Sequence, residues 1–574
     1  MVPVQLLNQG ARASDESNQP LFEVFMPITK GVNNVMASRW LPENACISLE
    51  NGTLEDPGSP AKREGYTPVG ANPVDNATII SDGFASTRIG GFGFLNPSTG
   101  SKVYLIGFGG GSGKCYFCTD LGSGGWTVAQ TAGAADLDLD VGIDEDAESA
   151  KMFQGRDLLW ILPGGVNGSG SVNLHAMDNA GVLYDAGNSG DNVGEAPRNV
   201  VDGCYFLNRT WLLKQKAGNP ELHWSKALPA SGDVGVRGAS SLFNTDNSDS
   251  PTANSDAGML EVSPSVGSKP IAIVPWNQRT LILFFESSIE AIDVATSGTI
   301  YANSTRNVLE HRIGCASRDS IVQIGNEVYF LDNHGEYRSL QQTELGDKQG
   351  VVVEPISEPI RNEFPDRMGN QVWKQTKAAL YKNKIMLFYC RDNDLQPQDG
   401  FVYRPGRVSW EGKHRYGAPV GIIMQAENAL RGGSSRPFEM YTTNGDTSTP
   451  TASIYRWFDG GYSDGGATPI AFNMRTRGFT FGMPENQKIP YFAEMDVHGD
   501  SGASADLYLV TDAVQGAWQL ASGQPQLIAS VGITAGVDSN FPLYDLPGVT
   551  KTTDESGLDV FPLVAGDFPL YDPD

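Results

Sequence analysis

Basic residues are scarce in this chain. It carries 41 Lys and Arg against 67 Asp and Glu, for a formal net charge of −26 over 574 residues. Without a basic excess it cannot bind nucleic acid through counterion release, because too few cations face the phosphates. Cysteine is also sparse, with six residues at 46, 115, 118, 204, 315 and 390. That number and scatter exclude a disulfide framework and favour a reducing compartment. The six histidines, at 175, 223, 311, 334, 414 and 498, never cluster, and none forms a metalloprotease pair. No apolar run approaches the length of a membrane-spanning helix. The first twenty residues have neither a basic start nor an apolar core, so no signal peptide is expected. The Asn-x-Ser/Thr sequons, as at Asn51, Asn76 and Asn208, then read as loop composition.

What is abundant is turn chemistry. There are 67 glycines and 34 prolines, while apolar residues still make up 40% of the chain. This combination predicts an all-β protein of many short strands around a real core. From about residue 75 to 460 one theme recurs at intervals of roughly 45–60 residues: an apolar strand, a small polar turn, a second strand. Examples are 102–118 (KVYLIGFGGGSGKCYFC), 200–214 (VVDGCYFLNRTWLLK), 271–293 (IAIVPWNQRTLILFFESSIEAID) and 320–340 (SIVQIGNEVYFLDNHGEYRSL). One such unit cannot cover both of its faces, and a ring of neighbours can. The reading is a β-propeller of six or seven irregular blades over 71–465. An N-terminal arm and extended segment over 1–70 precedes it, and a β-sandwich over 466–530 follows. One short helix is expected at 355–364, with Ile356, Ile360 and Phe364 on one face.

The last stretch, 531–574, reads as an extended arm. It repeats FPLYDLP at 541–547, FPLV at 561–564 and FPLYDPD at 568–574. Proline disfavours regular ladders, so Phe541, Tyr544, Phe561, Phe568 and Tyr571 become spaced anchors for docking on a partner.

Several motifs invite a chemical reading and fail it. GGGSGKC at 109–115 has Phe108 where a phosphate loop needs glycine, and Cys115 where it needs Ser or Thr. Cys115 and Cys118 lie three apart on an expected strand, so their thiols face opposite sides and read as buried apolar groups. Gly461-Tyr-Ser463-Asp-Gly465 matches the nucleophile-elbow pattern but is followed by turn and strand, not helix. Asp136, Asp138 and Asp140 lack the glycine and glutamate of a calcium loop, at Val141 and Ala147. No catalytic residue, cofactor or metal site is assigned, and an enzyme is not expected.

Residues 30–70 resemble the opening of short-tailed phage nozzle proteins, the tail tubular protein B or packaged-DNA stabilisation group. The matching pieces are Gly31-Val32-Asn33, Leu41-Pro42, Leu49-Glu50-Asn51 and Arg63-Glu64-Gly65-Tyr66. Residues 312–340 resemble a blade of that group through Gly314-Cys315, Ser320-Ile321-Val322, Gly325-Asn326 and Asp332-x-x-Gly335. Residues 476–499 are similar to its terminal sandwich. The resemblance implies a virion protein assembled in the host cytoplasm. It implies a homo-hexameric tube below the portal's adaptor ring, in contact with tail fibre or tip proteins. Double-stranded DNA would pass an acidic channel there without specific binding. The group has no catalytic residues to carry over. The competing expectation is a receptor- or carbohydrate-binding propeller, one that cleaves polysaccharide in some forms, using the chain's Trp and Tyr as stacking platforms.

Overall fold

The computed structural model describes residues 28–70, 89–95, 102–131, 150–162, 174–185, 197, 200–226, 243, 257–262 and 269–476, apart from short breaks inside these ranges. Beyond 476 it describes 494–497, 504–509, 526–532, 539–542, 552–553 and 559–560. The chain divides into two units, one built on Glu23–Arg477 and one that includes Gly478–Asp574.

The first unit is nearly all β and has a β-propeller arrangement. Five sheets are made of strands consecutive in sequence. The first holds Ile89–Leu95, Lys102–Gly109, Ser112–Cys118 and Thr127–Val128. The second holds Lys151–Gly155, Leu158–Leu162, His175–Met177 and Val182–Asp185, with Gln130–Thr131 added in parallel at the outer edge. The third runs through Val200–Phe206, Arg209–Lys214, Glu221–Trp224 and Gly258–Glu261. The fourth runs through Pro270–Pro275, Thr280–Phe285, Ser288–Asp293 and Thr305–His311. The fifth runs through Val322–Ile324, Glu327–Leu331, Tyr337–Leu345 and Lys348–Pro355.

The packing explains the continuous apolar runs. A strand covered on both faces has no solvent side to alternate with. In Thr280–Phe285, Leu281, Leu283 and Phe285 pack with Trp211, Leu213 and Trp224 of the third sheet. The intervening Ile282 and Phe284 pack with Val328, Phe330 and Leu340 of the fifth. In Leu158–Leu162 the odd-numbered residues meet Leu95 and Cys115 of the first sheet. The even-numbered ones meet Val200 and Leu212 of the third. The two-residue period of the strand thus sends alternate side chains to opposite neighbours. Cys115 and Cys118 obey the same rule and lie in different core clusters.

Two larger sheets mix distant parts of the chain. A seven-stranded sheet has the order Lys377–Tyr381, Lys384–Cys390, Pro397–Arg404, Ser409–Arg415, Gly31–Val32, Ala45–Glu50, Asn473–Thr476. A six-stranded sheet has the order Val420–Glu427, Phe438–Asn444, Ile454–Trp457, Tyr66–Pro68, Ser463–Asp464, Thr468–Pro469. The seven-stranded sheet packs Ile385, Leu387 and Trp410 on Tyr329 and Tyr337 of the fifth. Met386 and Phe388 on its other side meet Met440 and Trp457 of the six-stranded sheet. That sheet in turn sets Met424, Tyr441 and Ile454 against Phe92 and Tyr116 of the first.

Three expectations are corrected here. Residues 30–70 are not a separate extended segment, since they supply strands to both mixed sheets. Asn473–Thr476, expected in a following sandwich, pairs with Ala45–Glu50. The helix expected at 355–364 is a 3-10 turn, Glu358–Ile360, continued by a bond from the Phe364 N–H to the Ile360 carbonyl. Ile356, Ile360 and Phe364 nevertheless share one cluster, as their spacing required.

In the second unit the described strands are antiparallel pairs. Glu494–Val497 pairs with Ser539–Pro542, Ser504–Leu509 with Gln526–Gly532, and Thr552–Thr553 with Asp559–Val560. The arm expected over 531–574 is therefore paired in part.

Candidate functional site

The charged and hydrogen-bonding residues of the first unit converge in two places. One is the set of first strands of successive sheets. Asp202, wholly buried, accepts from the Lys151 ammonium of the second sheet through one oxygen. Its other oxygen takes the Ile273 N–H of the fourth sheet at 2.9 Å. Arg318, just ahead of the fifth sheet, donates to the Val201 carbonyl of the third at 2.8 Å. Ser317 Oγ donates to the Thr376 carbonyl at 2.6 Å. Lys377 Nζ donates to the Gly421 carbonyl of the six-stranded sheet at 2.7 Å. Ala150 N–H closes onto the Gly90 carbonyl of the first sheet at 2.7 Å. One chain of polar contacts therefore links sheet to sheet.

Asp319 sits among these groups, 3.6 Å from Arg318, with 40% of its side chain accessible. Burial alone would raise its carboxyl, but Arg318, Lys377 and Lys151 hold it below the ordinary range. Three cations and two carboxylates gather here, so the acidity of the chain is not concentrated on the inner strands.

The second place is the N-terminal clasp. Arg63 is 1% exposed and uses every arm of its guanidinium. Nη1 and Nη2 grip Asp464 at 2.9 and 2.6 Å. Nε donates to Asn51 Oδ1 at 3.1 Å, Nη2 to the Arg415 carbonyl at 2.7 Å and Nη1 to the Glu64 carbonyl at 3.2 Å. The plane lies 4.8 Å from the Tyr416 ring centroid. A fork this fully engaged gains geometry as well as charge neutralisation. Asn51 holds φ 55 and also accepts the Arg415 N–H at 2.9 Å. Beside it, His414 is buried, with Nε2 2.9 Å from the Gly52 carbonyl and Nδ1 3.2 Å from the Tyr416 hydroxyl. A carbonyl only accepts, so Nε2 carries the proton and Nδ1 accepts from Tyr416. Burial first, and then Arg63, push this imidazole down to about 3, and it is neutral at physiological pH.

Gly31 belongs to the same clasp. Its φ is 71, and a Cβ there would lie 2.0 Å from the Trp410 carbonyl oxygen. Tyr66 packs edge-on against Tyr455 and at a tilt against Trp457, each at 5.0 Å between centroids. Of the motif residues, Gly31, Val32, Leu49, Asn51, Arg63 and Tyr66 lie in buried packing or polar contacts. The 312–340 motif is equally architectural. Ser320 Oγ donates to the Ser317 carbonyl and accepts the Leu331 N–H. Asp332 accepts the N–H groups of His334 and Glu336, each at 2.8 Å. Gly335, at φ 80, lies under the Trp373 ring.

The docking anchors are placed in part. Phe541 stands opposite Met495 in the Ser539–Pro542 strand. Tyr544, Phe561, Phe568 and Tyr571 lie outside the described residues, as do the 136–149 aspartates. The GGGSGKC stretch is the end of an antiparallel hairpin with Gly109 opposite Ser112. Ser463-Asp464 is a short strand followed by Gly465 and Gly466 at positive φ, a turn and not an elbow. None of the six cysteines forms a disulfide, and all are buried. Burial pushes the Cys46 and Cys315 thiols up to about 12, which makes both inert as nucleophiles. Among the described residues no cluster has the make-up of a metal site.

No protein-family model matches the sequence. No curated protein matches it either. Among solved structures, a putative exported protein of Bacteroides fragilis is similar at 7% identity and TM-score 0.28, over 53% of this chain and 88% of that one. A Lactobacillus plantarum protein is similar at 10% identity and TM-score 0.32, over 55% and 80%. The WD40 domain of Toxoplasma gondii coronin is similar at 9% identity and TM-score 0.31, over 69% and 85%. At such scores these likenesses carry no argument about activity.

No motif in the sequence singles out Lys151, Asp202, Arg318, Asp319 or Lys377. The available signal is a charged residue at or near the start of an apolar strand run, as in VVDGCYF and KAALY. Such a residue has to meet a counter-charge or a carbonyl once the strand is buried.

Proposed function

We propose that the chain is a structural subunit of a tailed-virus particle. In this reading it forms the hexameric nozzle that continues the DNA path below the adaptor ring, retains the packaged genome and opens for ejection. The observation that carries it is the use made of the 30–70 segment. The residues that resemble the nozzle group are those that weave this segment through both mixed sheets and anchor it at Arg63–Asp464. That suits a body built to bear load. The clusters of polar groups are spent on bonds between sheets, which suits it too.

The two mixed sheets are, in the same reading, sixth and seventh blades. Tyr66–Pro68, from the N-terminal side, completes the blade that faces the first sheet, so the two ends of the ring are pinned together without a covalent bond. Arg318 reaches from the fifth sheet to Val201 of the third, and we read this contact as crossing the middle of one copy, where a duplex would otherwise have to run. DNA would therefore pass between copies, along surfaces that carry the net negative charge and repel phosphate. The described strand pairs after residue 477 are assigned to a terminal β-sandwich.

Electron microscopy of the purified chain mixed with its adaptor ring tests this. Six-fold tubes seated on the ring are the expected result. A chain that stays monomeric, ignores the ring and instead cleaves or binds a polysaccharide would overturn it in favour of a receptor-recognition propeller.

A further inference from the structure

We infer that a monatomic anion of the halide class, with chloride as its common form, binds between the second and third sheets, held by the Trp160 indole N–H, the Thr210 hydroxyl and the Arg156 guanidinium. Trp160 lies in Leu158–Leu162 and Thr210 in Arg209–Lys214, and both are wholly buried, at 0% exposure. Trp160 Nε1, Thr210 Oγ1 and Arg156 Nη1 are buried atoms without a hydrogen-bond partner in the chain. Buried polar atoms are almost always paired, so orphans on facing sheets call for a partner that the chain itself does not supply. Gly155 brings two of them together. A Cβ added there would lie 2.9 Å from Trp160 Nε1 and 3.4 Å from Thr210 Oγ1. The indole and the hydroxyl therefore flank one small space beside this glycine.

Arg156 is the next residue, at φ 55 in the turn between Lys151–Gly155 and Leu158–Leu162. Its Nε donates to the Tyr205 hydroxyl at 3.3 Å, and Tyr205 stands opposite Thr210 in the third sheet. Residues paired in this way share a face, so the guanidinium meets the third sheet on the face that carries Thr210. Among the described residues Arg156 has no carboxylate partner, in a chain with 67 acidic residues. The donors name the occupant. Indole and guanidinium N–H groups donate and never accept, which excludes a cation. A water would need acceptors for its own protons, and the nearby ones are in use. The Thr210 carbonyl takes the Ser225 N–H at 2.9 Å, and the Arg156 carbonyl takes the Gln154 amide at 2.5 Å. Asn208 Oδ1 takes the Tyr205 proton at 3.1 Å. An anion needs donors alone, and beside Arg156 it pairs a charge that would otherwise lie buried by itself. A space in which one added carbon already touches both donors suits a single atom and not a sulfate or phosphate.

The test titrates sodium chloride into the full-length chain against sodium gluconate at constant ionic strength. The line width of the chloride NMR signal and the urea midpoint are read together. Saturable broadening and a rising midpoint are expected, because an anion that binds only the folded chain stabilises it. Trp160→Phe keeps the ring and removes the N–H, and Thr210→Val keeps the shape and removes the hydroxyl. Each should weaken chloride about tenfold or more, the worth of one hydrogen bond to a charged group. Arg156→Gln should do the same. For every chain the reading is the difference between chloride and gluconate, which a general loss of stability leaves in place. Bromide soaked into crystals of the unaltered chain should give an anomalous peak within reach of Trp160 Nε1 and Thr210 Oγ1. Equal midpoints in the two salts would overturn the inference, as would an equal chloride gain in all the variants. So would a water at this position that bromide does not replace.

Discussion

At the scale of the residue, the ion pair Arg63–Asp464 and the imidazole of His414 are the groups with most at stake. Both partners of the pair are nearly inaccessible, with side-chain exposures of 2% and 7%. Arg63→Ala would leave Asp464 buried without its counter-charge, at a cost of about 3–5 kcal/mol. The double replacement Arg63→Met with Asp464→Leu should cost less than the single one, because no charge is then stranded. Urea unfolding of the three chains measures this, and equal midpoints for single and double variants would refute it.

His414 makes stability depend on pH. Its folded value lies near 3, below that of the unfolded chain, so the unfolded chain binds a proton first as pH falls. Its contribution is whole above about pH 6.5 and lost as pH drops from there towards 3, at about 1.4 kcal/mol per pH unit for one group. His414→Gln should flatten the fall in urea midpoint between pH 6.5 and 4. Parallel curves for the two chains would exclude this role.

At the scale of the element, the short strand Tyr66–Pro68 matters more than its three residues suggest. It pairs with Ile454–Trp457 on one side and with Ser463–Asp464 on the other. Tyr66→Ala removes a ring packed on Tyr455 and Trp457, with an expected loss of about 3–5 kcal/mol. The loss should be local first. Hydrogen exchange should speed up at residues 454–457 before it changes at 281–285, where the fourth sheet is covered on both faces. Uniform acceleration across both stretches would mean that this strand does not act as a separate clasp. Gly31→Ala is expected to weaken the same region, since it places a Cβ against the Trp410 carbonyl at a positive φ.

At the scale of the whole molecule, the inner ring joins sheets that are far apart in sequence. Asp202→Ala removes the acceptor of both the Lys151 ammonium and the Ile273 N–H. A cooperative loss of about 3–5 kcal/mol is expected, with unfolding still a single step for the first unit. Two separate transitions by tryptophan fluorescence would show that the sheets are not coupled there. DNA should not bind the purified chain at physiological salt. Retention by double-stranded DNA that declines with salt would contradict an acidic, non-adhesive surface.

Much of this architecture is legible in the amino-acid sequence. Strand positions follow from runs such as TLILFF and LLWIL, and the opposed thiols of Cys115 and Cys118 follow from strand period alone. The fate of 355–364 is legible in its face but not in its type, because a spacing of four residues between Ile356, Ile360 and Phe364 fixes which side is buried and not whether the turns between them are α or 3-10. The clasp is legible only as a resemblance. Nothing local to Arg63 announces that its partner lies 401 residues away at Asp464.

Local composition and period, then, determined that this chain is made of short strands, where they lie and which side chains are buried, because those properties depend on neighbours within a few residues. The tertiary structure decided which strands share a sheet, that the N-terminal segment completes two sheets begun far downstream, and that five scattered charges meet on the inner strands. Pairing across hundreds of residues depends on which faces remain uncovered once the whole chain has collapsed, and no window of sequence carries that information.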